Sequence, residues 1–277
     1  MSKTTGSTVK FMHLKISHTT KYHYDEPVHY ALQQLRLTPK ARSNQRIMNW
    51  QISIDGGSRQ LDFSDQHCNR VELISIEPGR TEISIVSAGE VETSDTAGVI
   101  GETGGFAPLW YFKRHTSLTE PGRQIRALTE ELAQSFDSDI ERLHSLSKMI
   151  SATVAYITGS TNAETTAETA LISAKGVCQD HAQIFISAAR LLDYPARYVS
   201  GYLMMDDRAE QDATHAWAEV YISGIGWVGF DVSNGISPDE RYICIATGLD
   251  YKDAAPISGM RFGSSAESMS VSLQVQQ

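Results

Sequence analysis

The chain has 277 residues, 41% of them hydrophobic and 21% charged, an ordinary globular composition that argues against wholesale disorder. Its 33 acidic residues against 24 Lys and Arg leave a formal net charge of -9, which opposes general nucleic-acid binding, and no local basic cluster offsets it. The opening "MSKTTGSTVKFMHLKISHTT" lacks an apolar signal segment and no run is long enough to span a bilayer, so a soluble, cytoplasmic protein without a membrane partner is expected.

Residues 1–10 read as a loose terminus. From Phe11 to about Ala97 the texture is that of β-strands: "FMHLKISHTTKYHY", "HYALQQLRLTP", "MNWQISIDGG", "RVELISIEPG" and "TEISIVSAGEVET" alternate apolar and polar residues between Gly, Pro, Asn and Asp breaks. A Gly-rich bridge, "GVIGETGGF", follows, and it is no phosphate loop because no Lys-Ser/Thr comes after it.

Near Ser117 the period changes. "SLTEPGRQIRALTEELAQSF" predicts a helix with Thr119 as N-cap, and "DSDIERLHSLSKMISATVAYI" predicts a second with Ile140, Leu143, Leu146 and Ile150 on one stripe. A short helix around "AETALISA" leads to Gly176. After Cys178 comes a helix apolar almost all round, hence central, which stops at "DYP" because Pro195 disfavours helical geometry at Tyr194. "ARYVSGYLMM", "THAWAEVYI" and "GWVGFDVS" return to strands. The expected class is α+β, with a β-rich domain over 1–115 and an α+β domain over 116–277.

Cys68, Cys178 and Cys244 form no CxxC pair, and an odd number of thiols in a long chain is a poor disulfide framework. Cys178, after Gly-Val at a helix start, is open to three readings: nucleophile, metal ligand or small buried hydrophobe. A thiol attacks as its thiolate, which favours the positive end of a helix dipole, and it needs a base that is itself oriented by an acceptor. Downstream strands supply His215 and Asp231. Direct cross-strand pairing of those two requires Tyr221 opposite Ile225, Glu219 opposite Trp227 and Trp217 opposite Gly229, with Ile222-Ser223-Gly224 as a three-residue loop and Gly224 left-handed.

At these residues the chain resembles a known family. "GVCQDHAQIFISAARLLDYPARYVSGYL", "THAWAEVYISGIGWVGFDVSNG" and "YICIATGLDYKDAAPISGMRFG" together resemble the bacterial transglutaminase-like superfamily of papain-like cysteine enzymes. "YHYDEPVHYALQQLRLTPKARSNQRIMNWQISIDGG" resembles the β-rich domain that precedes the catalytic domain there. The resemblance implies a papain-like catalytic domain, its central helix packed on an antiparallel sheet, with Cys178 as nucleophile, His215 as general base and acid, and Asp231 as orienting acid. It implies acyl transfer through a thioester from a peptide or protein amide, without a cofactor. The chain departs from the family at Gln183, where His is usual, at Leu249, where a cation is common, and at Cys68, which precedes Asn69 in place of Gly.

Asp180, Trp217 and Trp227 are candidate substrate contacts, although helix-dipole and core-packing roles serve them equally well. His181 forms a Cys-x-x-His pair with Cys178 but lacks partner ligands for zinc. His13, His18, His23 and His29 fit no metal spacing and read as solvated or hydrogen-bonded surface residues. "MMDDRAEQDAT" reads as a solvated loop. A peptidase or amidase is the expected activity; transfer to an amine and a non-catalytic peptide-binding scaffold are the alternatives.

Overall fold

Along the first strand, β1 (Phe11–Tyr24), every even-numbered residue from Leu14 to Tyr24 is buried, the period of two that a half-buried strand imposes. The computed structural model describes residues 10–277 other than 133–135, 206–209, 212 and 263–266. Most of the proposed loose terminus and residues 206–209 and 212 of the acidic loop therefore lie outside the described residues. β2 (Tyr30–Leu35), β3 (Gln45–Asp55), β4 (Gly57–Ser64), β5 (Arg70–Ile76) and β6 (Glu82–Ser94) follow. All but β4 match runs read from the sequence. No residue of β4 is buried, so it carries no apolar alternation to read.

β7 (Val99–Gly101) lies in the Gly-rich bridge, and a short 3-10 turn (Leu109–Lys113) precedes the helical segment. That segment comprises α1 (Arg123–Glu131), α2 (Asp139–Thr153), β8 (Ala155–Tyr156), α3 (Ala167–Ser173), β9 (Lys175–Gly176) and α4 (Cys178–Leu191). Thr119 does not cap α1. The N-cap is Gly122, and the carboxylate of Glu168 on α3 accepts from the backbone N–H groups of Gly122, Gln124 and Ile125, doing from a distance what a local cap does. Thr119 instead accepts from Arg190, whose guanidinium is buried. α2 starts at Ser138, whose hydroxyl accepts from the Glu141 N–H while the Glu141 carboxylate accepts from the Asp137 N–H. In α4 every residue but Gln179 and Leu191 is buried, as its apolar circumference requires.

The chain closes with β10 (Ala196–Leu203), β11 (Glu210–Gln211), β12 (His215–Ile222), β13 (Gly226–Phe230), β14 (Tyr242–Gly248), α5 (Tyr251–Ala254), β15 (Ile257–Phe262) and β16 (Glu267–Gln276). Among the described residues the strands form one sheet in the order β11-β16-β1-β6-β3, a second in the order β15-β2-β5-β4 and a third in the order β14-β10-β12-β13-β7, besides the short parallel pair β8-β9. Side chains of the first two sheets share one apolar core, through Leu14, Ile16, Ile83 and Ile85 on one and Leu35, Ile74 and Ile76 on the other. α4 packs on the third sheet, with Phe185 stacked on Phe230 at 5.1 Å. The class is α+β, sheet-rich with few helices.

Strand pairing crosses residue 115 in both directions. β7, from the first part, completes the sheet that carries β12 and β13, while β15 and β16 return to pair with β2 and β1. A buried ion triad ties the parts together: both guanidinium nitrogens of Arg42 lie 2.7 Å from the Glu219 carboxylate, and Arg197 Nε donates to it at 2.7 Å. Burial alone would raise the Glu219 pKa, but the two guanidinium groups outweigh it and hold that carboxyl down at about 2.

The β12–β13 register differs from the expected one by two residues. Tyr221 pairs with Trp227 and Glu219 with Gly229, and the loop is 223–225. The Ile225 N–H closes the turn on the Ile222 carbonyl, with Gly224 left-handed at φ +81°. The reason lies at Gly226, which begins the strand at φ +92° against β7; a Cβ there would stand 2.3 Å from the Gly101 carbonyl carbon. A slip of two keeps every side chain on its face, so His215 and Asp231 still meet.

Candidate active site

Gly176, Val177 and Asp180 set the start of α4. The Asp180 Oδ2 accepts from the Val177 N–H at 2.8 Å and from the Thr161 hydroxyl at 2.6 Å. A Cβ at Gly176 would stand 2.7 Å from the Asp180 Cβ, so this packing is compatible only with glycine. Asp180 is thus a cap, fully buried beneath the helix end, rather than a cleft residue. His181 is a buttress: its Nε2 faces the Val154 carbonyl at 3.0 Å and its Nδ1 the Ser233 hydroxyl at 2.9 Å, so both ring nitrogens are engaged by the protein.

This framework leaves Cys178 in the first helical turn, 8% exposed, beside His215 at the start of β12. The imidazole is hydrogen-bonded to Asp231, Nε2 to Oδ2 at 2.6 Å, and lines the same cavity as the Cys178 sulfur. With Nε2 engaged by Asp231, Nδ1 is the nitrogen left to face sulfur. Burial works against a charge on His215, but the neighbouring Asp231 and Cys178 prevail and raise its pKa to about 10.

Asp231 follows the last residue of β13, where the chain leaves the sheet and folds back so that Asp231 bridges Ile236. Its Oδ2 accepts from the Tyr242 hydroxyl and the Asn234 amide, both at 2.7 Å, and its Oδ1 from the backbone N–H groups of Ser233 and Asn234. Burial would raise the carboxyl pKa; His215, Asn234 and Tyr242 together hold it below its ordinary value. Tyr242 and Asn234 were not singled out from the sequence. Asn234, three residues after Asp231 in "DVSNG", was open to an Asx-type reading, whereas Tyr242 arrives from β14 and only the fold brings it near.

Cys178 and His215 open onto a cavity of about 340 Å³. One wall comes from β1 and β16, through His18, Thr20, Tyr22, Met269 and Val271; Tyr156, Tyr198 and Tyr251 face it. His18 is therefore not a surface residue. It is 2% exposed, its Nδ1 lies 2.9 Å from the Tyr202 hydroxyl and its Nε2 3.1 Å from Thr20 Oγ1, and burial lowers its pKa to about 4. The even-numbered alternation of β1 was the available signal, since it puts His18 on the same face as Leu14 and Ile16. Gln179 also lines this cavity, and its side-chain amide nitrogen is buried without a hydrogen-bond partner among the described residues.

The two tryptophans lie elsewhere. Trp217 packs with Val199, Leu203, Tyr242 and Cys244 and stacks on the His215 ring at 6.3 Å, a support behind the imidazole. Trp227 packs against Phe112 and Leu249, with the Arg197 guanidinium 3.9 Å above its ring. Neither lines the cavity at Cys178.

Residues 126–232 match the transglutaminase-like superfamily, and residues 14–92 match the bacterial transglutaminase-like N-terminal region. Uncharacterized proteins of Mycobacterium tuberculosis and Mycobacterium bovis are 31% identical to the chain over 281 residues, covering 92% of it and 89% of their own length. The chain belongs to the transglutaminase-like superfamily.

Within the superfamily, an uncharacterized protein of Mycobacterium leprae is 24% identical over 275 residues, 95% of this chain and 98% of that one. The fold of this transglutaminase-like chain is also that of a crystal structure from Cytophaga hutchinsonii, provisionally described as a cysteine protease. The likeness has a TM-score of 0.76 at 23% identity and covers 97% of this chain and 92% of the other. No described helix is long and apolar enough to cross a membrane.

Proposed function

We propose that the chain is a cysteine peptidase or amidase in which Cys178 attacks an amide carbonyl, His215 transfers the proton and Asp231 orients His215. The observation that carries this reading is that the imidazole sharing a cavity with the Cys178 sulfur is hydrogen-bonded to a carboxylate held in turn by Tyr242 and Asn234. A protonated imidazole beside the sulfur supplies the positive charge that a thiolate nucleophile needs. The thiolate forms a C–S bond at the carbonyl carbon while the C–N bond breaks. His215 gives its proton to the leaving amine, then removes one from the water that resolves the thioester. The backbone N–H of Cys178 and the amide of Gln179 are the donors proposed for the oxyanion.

The cavity lining also supports a substrate class. Among its described residues there is no Asp, Glu, Lys or Arg, and tyrosines, Met269, Val271 and Ile257 are among those that line it. The preferred substrate therefore places a neutral, apolar or aromatic side chain next to the scissile carbonyl. The test is a panel of peptidyl fluorogenic amides with Phe, Leu, Lys or Glu before the bond, run with and without hydroxylamine. Release from Phe or Leu peptides that depends on Cys178 supports the peptidase reading, product that appears only with amine moves it to transfer, and inertness of every amide to a chain with intact thiol defeats it.

A further inference from the structure

A cavity larger than the one at Cys178 lies elsewhere among the described residues. About 710 Å³ in volume, it lies between the segment that joins β2 to β3, the segment around His67 and the bridge at Glu102–Gly104, and it shares no lining residue with the first. Lys40, Arg42, Arg70 and Arg197 line it, a local excess of positive charge in a chain whose net charge is -9.

The charges beneath this cavity do not balance. Arg42 and Arg197 share the single carboxylate of Glu219. The Lys40 ammonium donates to the His67 carbonyl, the Asn69 side-chain oxygen and the Thr247 hydroxyl, all neutral acceptors, and no carboxylate among the described residues is ion-paired with it. Three largely buried cations thus face one anion. Arg70, half exposed at the rim, pairs with Asp62 and approaches Glu72. Glu102, the one acidic residue in the lining, is engaged by the Tyr221 hydroxyl. Uncompensated cations under a concave, poorly solvated floor focus a positive potential into the cavity, and retaining them there costs stability that packed apolar groups would not. Ser43, Ser64, Thr38 and Thr103 add hydroxyl donors.

We propose that this cavity is a second binding site, for a small multivalent oxyanion: a phosphate ester or a polycarboxylate. It is independent of the catalytic reading yet not remote from it. Glu219 and His215 occupy the same face of β12 four residues apart, roughly 13 Å along the strand, so the cavity floor and the imidazole share one rigid element.

Cys68, an exposed thiol on the cavity wall, is a built-in reporter. Pyrophosphate and citrate are titrated separately into the full chain at fixed ionic strength, and alkylation of Cys68 is followed by peptide mass spectrometry. The site predicts saturable protection, about ten-fold once the anion stands at roughly ten times its dissociation constant, with labelling of Cys178 unchanged. Protection by pyrophosphate alone assigns phosphate esters, and by citrate alone polycarboxylates. Thr103 lies 3.3 Å from Arg197 Nη1, so Thr103→Asp places a carboxylate inside the cavity, and the variant is expected to abolish protection while raising Tm. Sodium chloride as effective as either anion, no protection by either, or protection that survives in Thr103→Asp overturns the proposal.

Discussion

The Asp231 carboxylate receives His215 Nε2 at 2.6 Å on the same oxygen that accepts from Tyr242 and Asn234, so the carboxylate beside the imidazole is itself fixed from β14 and from its own turn. A carboxylate held by that many donors stays ionised in the buried site, and its charge is what keeps His215 protonated far above neutrality.

Asp231→Asn tests that link. The raised pKa of His215 means its ion pair contributes fully below the unfolded value near 6.5 and is lost as pH rises through about 10. The alkaline limb of kcat/KM, expected near pH 10 in the native chain, should move down toward neutrality in Asp231→Asn, with kcat reduced by about 10²-fold or more. A pH–rate profile of both proteins reads the shift.

Tyr242→Phe removes one donor to Asp231 and leaves the ring against His215 and Trp217. The expected loss in stability is about 1–3 kcal/mol, because the buried carboxylate keeps its other partners, and activity should fall less than in Asp231→Asn. Urea titration and steady-state rates on one preparation measure both.

Gln179→Ala is expected to lower kcat by roughly 10²-fold with little change in KM or in the alkylation rate of Cys178, since the donor it removes is proposed to act only on the developing oxyanion. An equal loss in alkylation would assign Gln179 to positioning the thiol instead.

His18 is neutral in the folded chain above about pH 4, but its unfolded counterpart takes up a proton near 6.5. Its burial therefore leaves stability intact above 6.5 and removes it as pH falls toward 4, by on the order of 3 kcal/mol. His18→Gln keeps polar contacts to Tyr202 and Thr20 without titrating and should flatten that part of the stability curve. Chemical denaturation at pH 7 and pH 4.5 compares them.

Glu219→Gln leaves two buried guanidinium groups with no anion and is expected to cost about 3–5 kcal/mol. The Tm should drop accordingly, and more than for Arg46→Gln, whose pair with Glu92 lies on the surface.

Local periodicity made much of the fold legible. β1 begins and ends where its alternating run does, and α4 is as buried as its apolar circumference demands. Cys178, His215 and Asp231 were nameable because the roles proposed for them need particular residue types at a helix start and on neighbouring strands. What periodicity does not encode is long-range pairing. The closure of β15 and β16 onto the first sheets, the cap that Glu168 supplies to α1 and the arrival of Tyr242 at Asp231 all depend on contacts between segments far apart in sequence. The register of β12 and β13 slipped for the same reason: the geometry at Gly226 is set by β7, more than a hundred residues earlier. Trp217 and Trp227 were ambiguous because an aromatic at a strand position looks alike whether it lines a cleft or fills a core.

The central claim is that Cys178 is activated by His215. The most direct measurement is the pH dependence of iodoacetamide alkylation at each cysteine, resolved by peptide mass spectrometry, in the native chain and in His215→Ala. The account predicts that Cys178 labels far faster than Cys68 or Cys244, that its labelling persists below pH 7, and that His215→Ala slows it. Slow labelling of Cys178 that rises only at alkaline pH, unchanged in His215→Ala, would contradict the account and favour a binding scaffold that has kept the cleft.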